Sequence, residues 1–118
     1  VTEVEGQATV SGGSCGFVTS ISAQSEDGRH ARFSIDSPCE HVQALAFALH
    51  EHGAVDVFAE MDWHQESSLS AIIRGSMEGS YLWCPVPFAL RKAMQMACGL
   101  SLPEEIAVEL SKPDGAES

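Results

Sequence analysis

The sequence predicts one α+β domain, with elements in the order β-β-α-(short elements)-α-β and a small antiparallel or mixed sheet carrying helices on one face. Three observations predict it. Residues 16–24 and 30–36 alternate apolar and polar side chains on either side of a glycine turn. Residues 38–52 carry an apolar stripe at helical spacing behind a start signal. Residues 85–98 repeat such a stripe behind two prolines. The chain has 118 residues, which fits a single domain over 1–118. A chain of this length builds one core, burying roughly two-thirds of its unfolded surface.

The first residues, 1–13, are small and polar; Val4, Ala8 and Val10 support a weak edge strand at most, or a flexible arm, and Gly12 and Gly13 break it. In the hairpin, Phe17, Ile21 and Ala23 share one parity, as do Ala31, Phe33 and Ile35. A two-residue turn at Asp27-Gly28 sets Ile21 against Ser34 and mismatches the apolar faces. A three-residue loop, Glu26-Asp27-Gly28, sets Ala23 against Ala31, Ile21 against Phe33 and Thr19 against Ile35, with Gly28 in the left-handed position. A slip of one residue flips a whole face, so the second loop is the expected one.

"SPCE" at 37–40 reads as a capping box, with Ser37 at N-cap, Pro38 at N1 and Glu40 at N3. Val42, Leu45, Ala46 and Leu49 then form the buried stripe of a helix over 38–52, which Gly53 ends. Between 54 and 83 the pattern is mixed. "AVDVFAEMDW" fits a short strand or a short helix capped by Asp56. Leu69, Ile72 and Ile73 stand at helical spacing before Gly75, and "GSMEGSYLW" reads as a loop. The second long helix, 85–98, has Pro85 and Pro87 in its first turn and buries Val86, Leu90, Ala93, Met94 and Ala97. Arg91, Lys92 and Gln95 face water, and Gly99 closes the helix with Leu100 folding back on Met94. Ile106, Val108 and Leu110 alternate with Ala107 and Glu109, as in a half-buried final strand, and 112–118 reads as a flexible tail.

Seventeen acidic residues against six basic ones give a net charge of −11. Such a surface repels phosphate backbones, so nucleic acid is not an expected partner. No apolar run is long enough for a membrane span, and no secretory signal opens the chain. With no export signal and a core that needs no staples, the four cysteines are expected as reduced or metal-bound thiols in a cytoplasmic protein. A homodimer stays open, and the protein partner and any enzymatic activity are unknown.

Cys15, Cys39 and Cys84 each stand where an element begins, in "GSCGF", "SPCE" and "WCPVP". The expected hairpin register, carried outward, brings position 15 opposite position 39. Cys39 at N2 of the first helix and Cys84 at N-cap of the second sit in the positive field of helix N-termini, which favours the thiolate that binds metal or attacks. If those helix ends lie together, three thiolates converge. Cys98 follows Cys84 by 14 residues in one helix, about 21 Å at roughly 1.5 Å per residue, and reads as a small core or helix-end residue.

Three functional readings follow. One is a metal ion or iron–sulfur centre held by Cys15, Cys39 and Cys84, with zinc or iron–sulfur the candidate cofactors. His41 or His64 is the candidate fourth ligand; His30, His50 and His52 are expected on solvated faces. A second is a thiol redox protein using a Cys15/Cys39 pair. A third is an interaction domain whose cysteines are structural, since free cysteines commonly behave as small buried hydrophobes. Cys-x-x-Cys, Gly-x-Ser-x-Gly and phosphate-loop patterns are absent, and Tyr81, Trp83 and Phe88 read as core aromatics rather than pocket lining.

"SCGF", "SPCEHVQALAFAL" and "CPVPFALRKAMQMACGLSLPEEI" resemble the motifs of a small uncharacterised protein family of anaerobic archaea and bacteria, over roughly residues 13–110. Cys-Pro-Val-Pro is the most specific part. The resemblance carries Cys15, Cys39 and Cys84 as matching positions and implies no substrate or cofactor. Residues 54–80 show no motif that can be matched to it, so the resemblance names no fourth ligand.

Overall fold

The computed structural model describes residues 3–11, 16–111 and 113. Among these residues there are four strands and four α-helices: β1 Val4–Val10, β2 Thr19–Ser25, β3 His30–Asp36, α1 Glu40–His52, β4 Val55–Asp56, α2 Val57–Glu60, α3 Ser68–Ser76 and α4 Val86–Ala97. A 3-10 turn, Ser80–Leu82, precedes α4. The sheet is antiparallel in the order β1-β2-β3-β4. The α+β class and the single covered face are as expected from the sequence.

Strand parity explains the layering. Gly6, Ala23 and Phe33 form one cross-strand row, and Ala8, Ile21 and Ile35 the next. These rows face the helices: α4 lies on β1 and β2, α1 on β3, and α3 beside α1. Leu45, Leu49, Leu69, Ile73, Met77, Leu90 and Met94 close the core between them. The opposite face is polar in every row: Glu5-Gln24-Arg32, Gln7-Ser22-Ser34 and Thr9-Ser20-Asp36. No apolar stripe is left there to recruit a second layer.

The hairpin keeps the expected faces but not the expected pairs. Ala23 stands opposite Phe33 and Ile21 opposite Ile35, two residues from the expected register. Asp27 decides this. Its Oδ1 accepts from the backbone N–H of Arg29 at 2.9 Å and of His30 at 2.8 Å, and the Ser25 hydroxyl accepts from the Gly28 N–H at 3.0 Å. The loop is therefore built around Asp27, with Gly28 left-handed at φ +75° one step inside it. The same bonds, led by the His30 N–H and the His30 side chain, hold the Asp27 carboxyl far below its ordinary 3.8. A depressed folded value stabilises the hairpin above the unfolded value and is lost as pH falls through the folded one. In an NMR titration the Asp27 carboxyl is expected to stay ionised well below pH 3.8, with the Arg29 and His30 amides losing protection only when it protonates.

The capping box at Ser37 is not formed. The buried Ser37 hydroxyl instead accepts from Thr19 Oγ1 at 2.8 Å and from the Cys39 N–H at 3.2 Å. Ser37 is thereby fixed to the start of β2, and α1 begins two residues later than expected, with Cys39 at N-cap and its thiol making no capping bond. The mixed stretch resolves into both alternatives. Val55–Asp56 is a two-residue strand, and Asp56 then caps α2 through the Phe58 and Ala59 N–H groups while gripping Arg29. Ser67 caps α3, which runs on through Gly75. At the end of α4 the Gly99 N–H reaches Met96 O and the Leu100 N–H reaches Gln95 O, the paired closure expected of a left-handed glycine. Leu100 itself is exposed. Arg91 and Lys92 are half-buried rather than facing water, engaging Ser70 and Glu104.

Two further expectations change at the termini. β1 is a full seven-residue strand paired along all of β2, not a weak arm. The final strand is not formed: residues 102–110 take no regular structure, and Ile106, Val108 and Leu110 are 50%, 81% and 89% exposed. Their alternation is that of a strand, but the single chain gives it no ladder partner among the described residues. The expected tail at 112–118 lies outside the described residues except for residue 113.

Candidate thiol site

Cys39 and Cys84 are brought together. Cys39 enters α1 from the end of β3. Cys84 is delivered by the 3-10 turn, its N–H bonded to Ser80 O at 3.0 Å, and Pro85 follows as the N-cap of α4. Cys84, expected at the N-cap, thus stands one position before the cap that forms, because Pro85 takes that place. Both thiols are half-buried and line one pocket of about 20 Å³ with Val10, Phe17, Thr19, Val42, Pro85 and Val86. The neighbours are apolar apart from Thr19, whose hydroxyl is already committed to Ser37. The two helix starts therefore lie together, which is the condition on which the expected meeting of their thiols depended.

Cys15 lies outside the described residues. The expected contact between Cys15 and Cys39 rested on a register two residues away from the one formed. Carried outward, the formed register brings Phe17 toward Cys39, and Phe17 is indeed part of the same pocket.

Cys98 is remote, as expected from its place in the helix. It caps α4 at the hairpin end, buried, with its thiol bonded to the Ser25 side chain. Burial pushes its pKa up, and the charges of Asp27 and Asp56 push the same way. It is the least available thiol among the described residues.

Neither candidate histidine lines the pocket. His41 is exposed on α1, and His64 stacks on Trp63 at 4.0 Å and pairs with Asp62 at 3.1 Å. His30 pairs with Asp27, and His50 and His52 are exposed in the last turn of α1, on solvated faces as expected. Among the described residues no group of three or more His, Cys, Asp or Glu side chains stands ready to hold a metal ion.

The aromatics differ from the core reading. Tyr81 is half-buried against the core, but Trp83 is 72% exposed, and Leu82 and Phe88 are exposed with it. The 3-10 turn is too short to bury both sides, so this apolar rim stands beside Cys84. Glu78 and Gly79, both left-handed, start that turn within the stretch expected as a loop. A wider depression of about 380 Å³ lies on the open sheet face, among Gln7, Thr9, Ser20, Ser22, Ser34 and Asp36. Its hydroxyls and amide offer hydrogen bonds, but only one titratable group, Asp36.

Residues 6–110 match a family of unknown function, DUF6951. The chain belongs to that family. The match is to an uncharacterised family, as the resemblance implied, and runs from β1 to the C-terminal segment, so its span includes all three candidate cysteines. No curated protein and no solved structure matches the chain. No described helix is long and apolar enough to cross a membrane.

Proposed function

We propose that this member of DUF6951 binds a thiophilic metal ion or an iron–sulfur centre through Cys15, Cys39 and Cys84, in a cytoplasmic protein that does not bind nucleic acid. One observation carries the reading: two thiols from separate elements line one small apolar pocket at the mouths of α1 and α4. A pocket of about 20 Å³ has room for roughly one water-sized occupant, far from the several hundred Å³ of a substrate cleft. That favours a single ion, such as zinc, over a cluster at this place. Thiolates in apolar surroundings select soft metals over hard cations. Cys15 is the third donor by its place in "SCGF", and the fourth position is open to water or a partner's ligand. The net charge of −11 supports the exclusion of nucleic acid.

The test is elemental analysis of the full chain purified without oxygen. About one zinc, iron or copper ion per chain is expected. A metal-free protein whose melting temperature is unmoved by added zinc and by chelator overturns the proposal. In that case reversible disulfide formation under mild oxidant separates a redox role from purely structural thiols.

A further inference from the structure

Two unfilled features of this chain fit each other. β1 is paired with β2 along its whole length, and among the described residues nothing pairs with its other side. Such an edge presents a row of backbone N–H and C=O groups that another strand can complete. Residues 104–110, "EEIAVEL", have the alternation of a strand, yet their apolar side chains face water. The segment also starts in the right neighbourhood. Glu104 pairs with Lys92 at 3.1 Å. Lys92 lies one turn from Met96 on the same stripe of α4, and Met96 lies next to Gly6 of β1.

The single chain leaves the two unjoined, and its topology gives a reason. β1 runs opposite to α4: Gly6 lies against Ala93 and Ala97, while Val10 shares a pocket with Cys84 and Val86. A segment turning back along α4 reaches its own β1 only in parallel, the weaker pairing. A second copy is free of that constraint and can present the segment antiparallel.

We propose that residues 104–110 of one copy add to the β1 edge of a second copy, and reciprocally, in a two-fold strand-exchanged homodimer. The alternation of the two strands matches. Ile106, Val108 and Leu110 extend the inner row of Val4, Gly6, Ala8 and Val10, over the Met96 flank of α4. Glu105, Ala107 and Glu109 extend the open face beside Glu5, Gln7 and Thr9. Seven residues of extended chain span about 23 Å at roughly 3.3 Å each, the length of seven-residue β1.

Light scattering of the full chain during gel filtration, over a range of micromolar concentrations, tests this. The expected mass is that of two chains. Ending the chain after residue 103, or replacing exposed Val108 and Leu110 together by lysine, is expected to halve that mass. Neither change touches the core, so the helical circular dichroism should be retained, and β1 amides should exchange faster with deuterium. A one-chain mass for the full chain overturns the proposal, including the case in which β1 amides are protected, which would mean pairing within the chain. So does a two-chain mass that survives both changes.

Discussion

Gly6→Ala is expected to destabilise the fold by about 3 kcal/mol, at the upper end of overpacking effects. Gly6 sits in the middle of β1, where glycine normally weakens a strand, and it is absent from the residues with positive φ. Backbone freedom is therefore not its role. It is buried, and a methyl group there would overlap the Ala93 carbonyl oxygen and come within 2.9 Å of the Ala97 nitrogen and 3.0 Å of Met96 Cβ. Two of those three atoms are helix backbone, which no rotamer change can move. Relief requires α4 to lift from β1 and β2, exposing Leu90, Met94 and Ala97. Ala93 and Ala97, one turn apart on α4, are the small residues that complete this close approach. Gly75 supplies the control. It lies in α3 with nothing within 4 Å of an added Cβ, so Gly75→Ala should stabilise by about 0.5 kcal/mol through helix propensity alone. Urea unfolding with an unchanged slope reads both values; a Gly6→Ala loss below about 0.5 kcal/mol would mean that α4 does not rest on β1 in this way.

What the sequence made legible was whatever depends on local period. The strand faces at Ile21, Ala23, Ala31 and Phe33 and the helix stripes at Val42, Leu45, Leu49, Leu90, Ala93 and Met94 all fall where parity and helical spacing put them. Features decided by a particular hydrogen bond were not legible. Asp27 shifts the hairpin pairing by two while preserving parity, so the apolar pattern is blind to the difference. Thr19 captures the Ser37 hydroxyl across 18 residues, and no local motif records that competition. The final strand shows the converse: the alternation of Ile106, Val108 and Leu110 is real, but a strand needs a neighbour, which a one-chain pattern does not supply. At the thiol site, the meeting of Cys39 and Cys84 was legible only as a condition, because helix periodicity shows that both helices cover the sheet but not that they start at the same end. The place of Phe17 beside Cys39 followed only from the register.

The proposed site makes a sharp prediction about which thiols matter. Cys39→Ser or Cys84→Ser should reduce retained metal from about one ion per chain to near zero after gel filtration, while Cys98→Ser leaves it unchanged. Serine preserves the shape of each side chain but supplies a hard, protonated oxygen in place of a soft thiolate, so the loss reads donor chemistry rather than packing. Packing is separable here because Cys39 and Cys84 sit at the margin of the core cluster, whose central side chains come from Leu45, Leu69, Leu90 and Met94. The serine variants should therefore keep their circular dichroism and melt cooperatively, at the lower temperature of the metal-free chain. Because thiolate ligands must be deprotonated, metal should also leave the unaltered protein as pH falls, with protons taken up as it goes. Cys98 is the informative comparison, since it is the same residue type, more deeply buried, at the opposite end of α4. Metal retained in Cys84→Ser, or lost in Cys98→Ser, would move the site away from the mouths of the two helices. Loss confined to the 39 and 84 substitutions would mean that the metal is held where those helices begin, whichever residue completes its coordination.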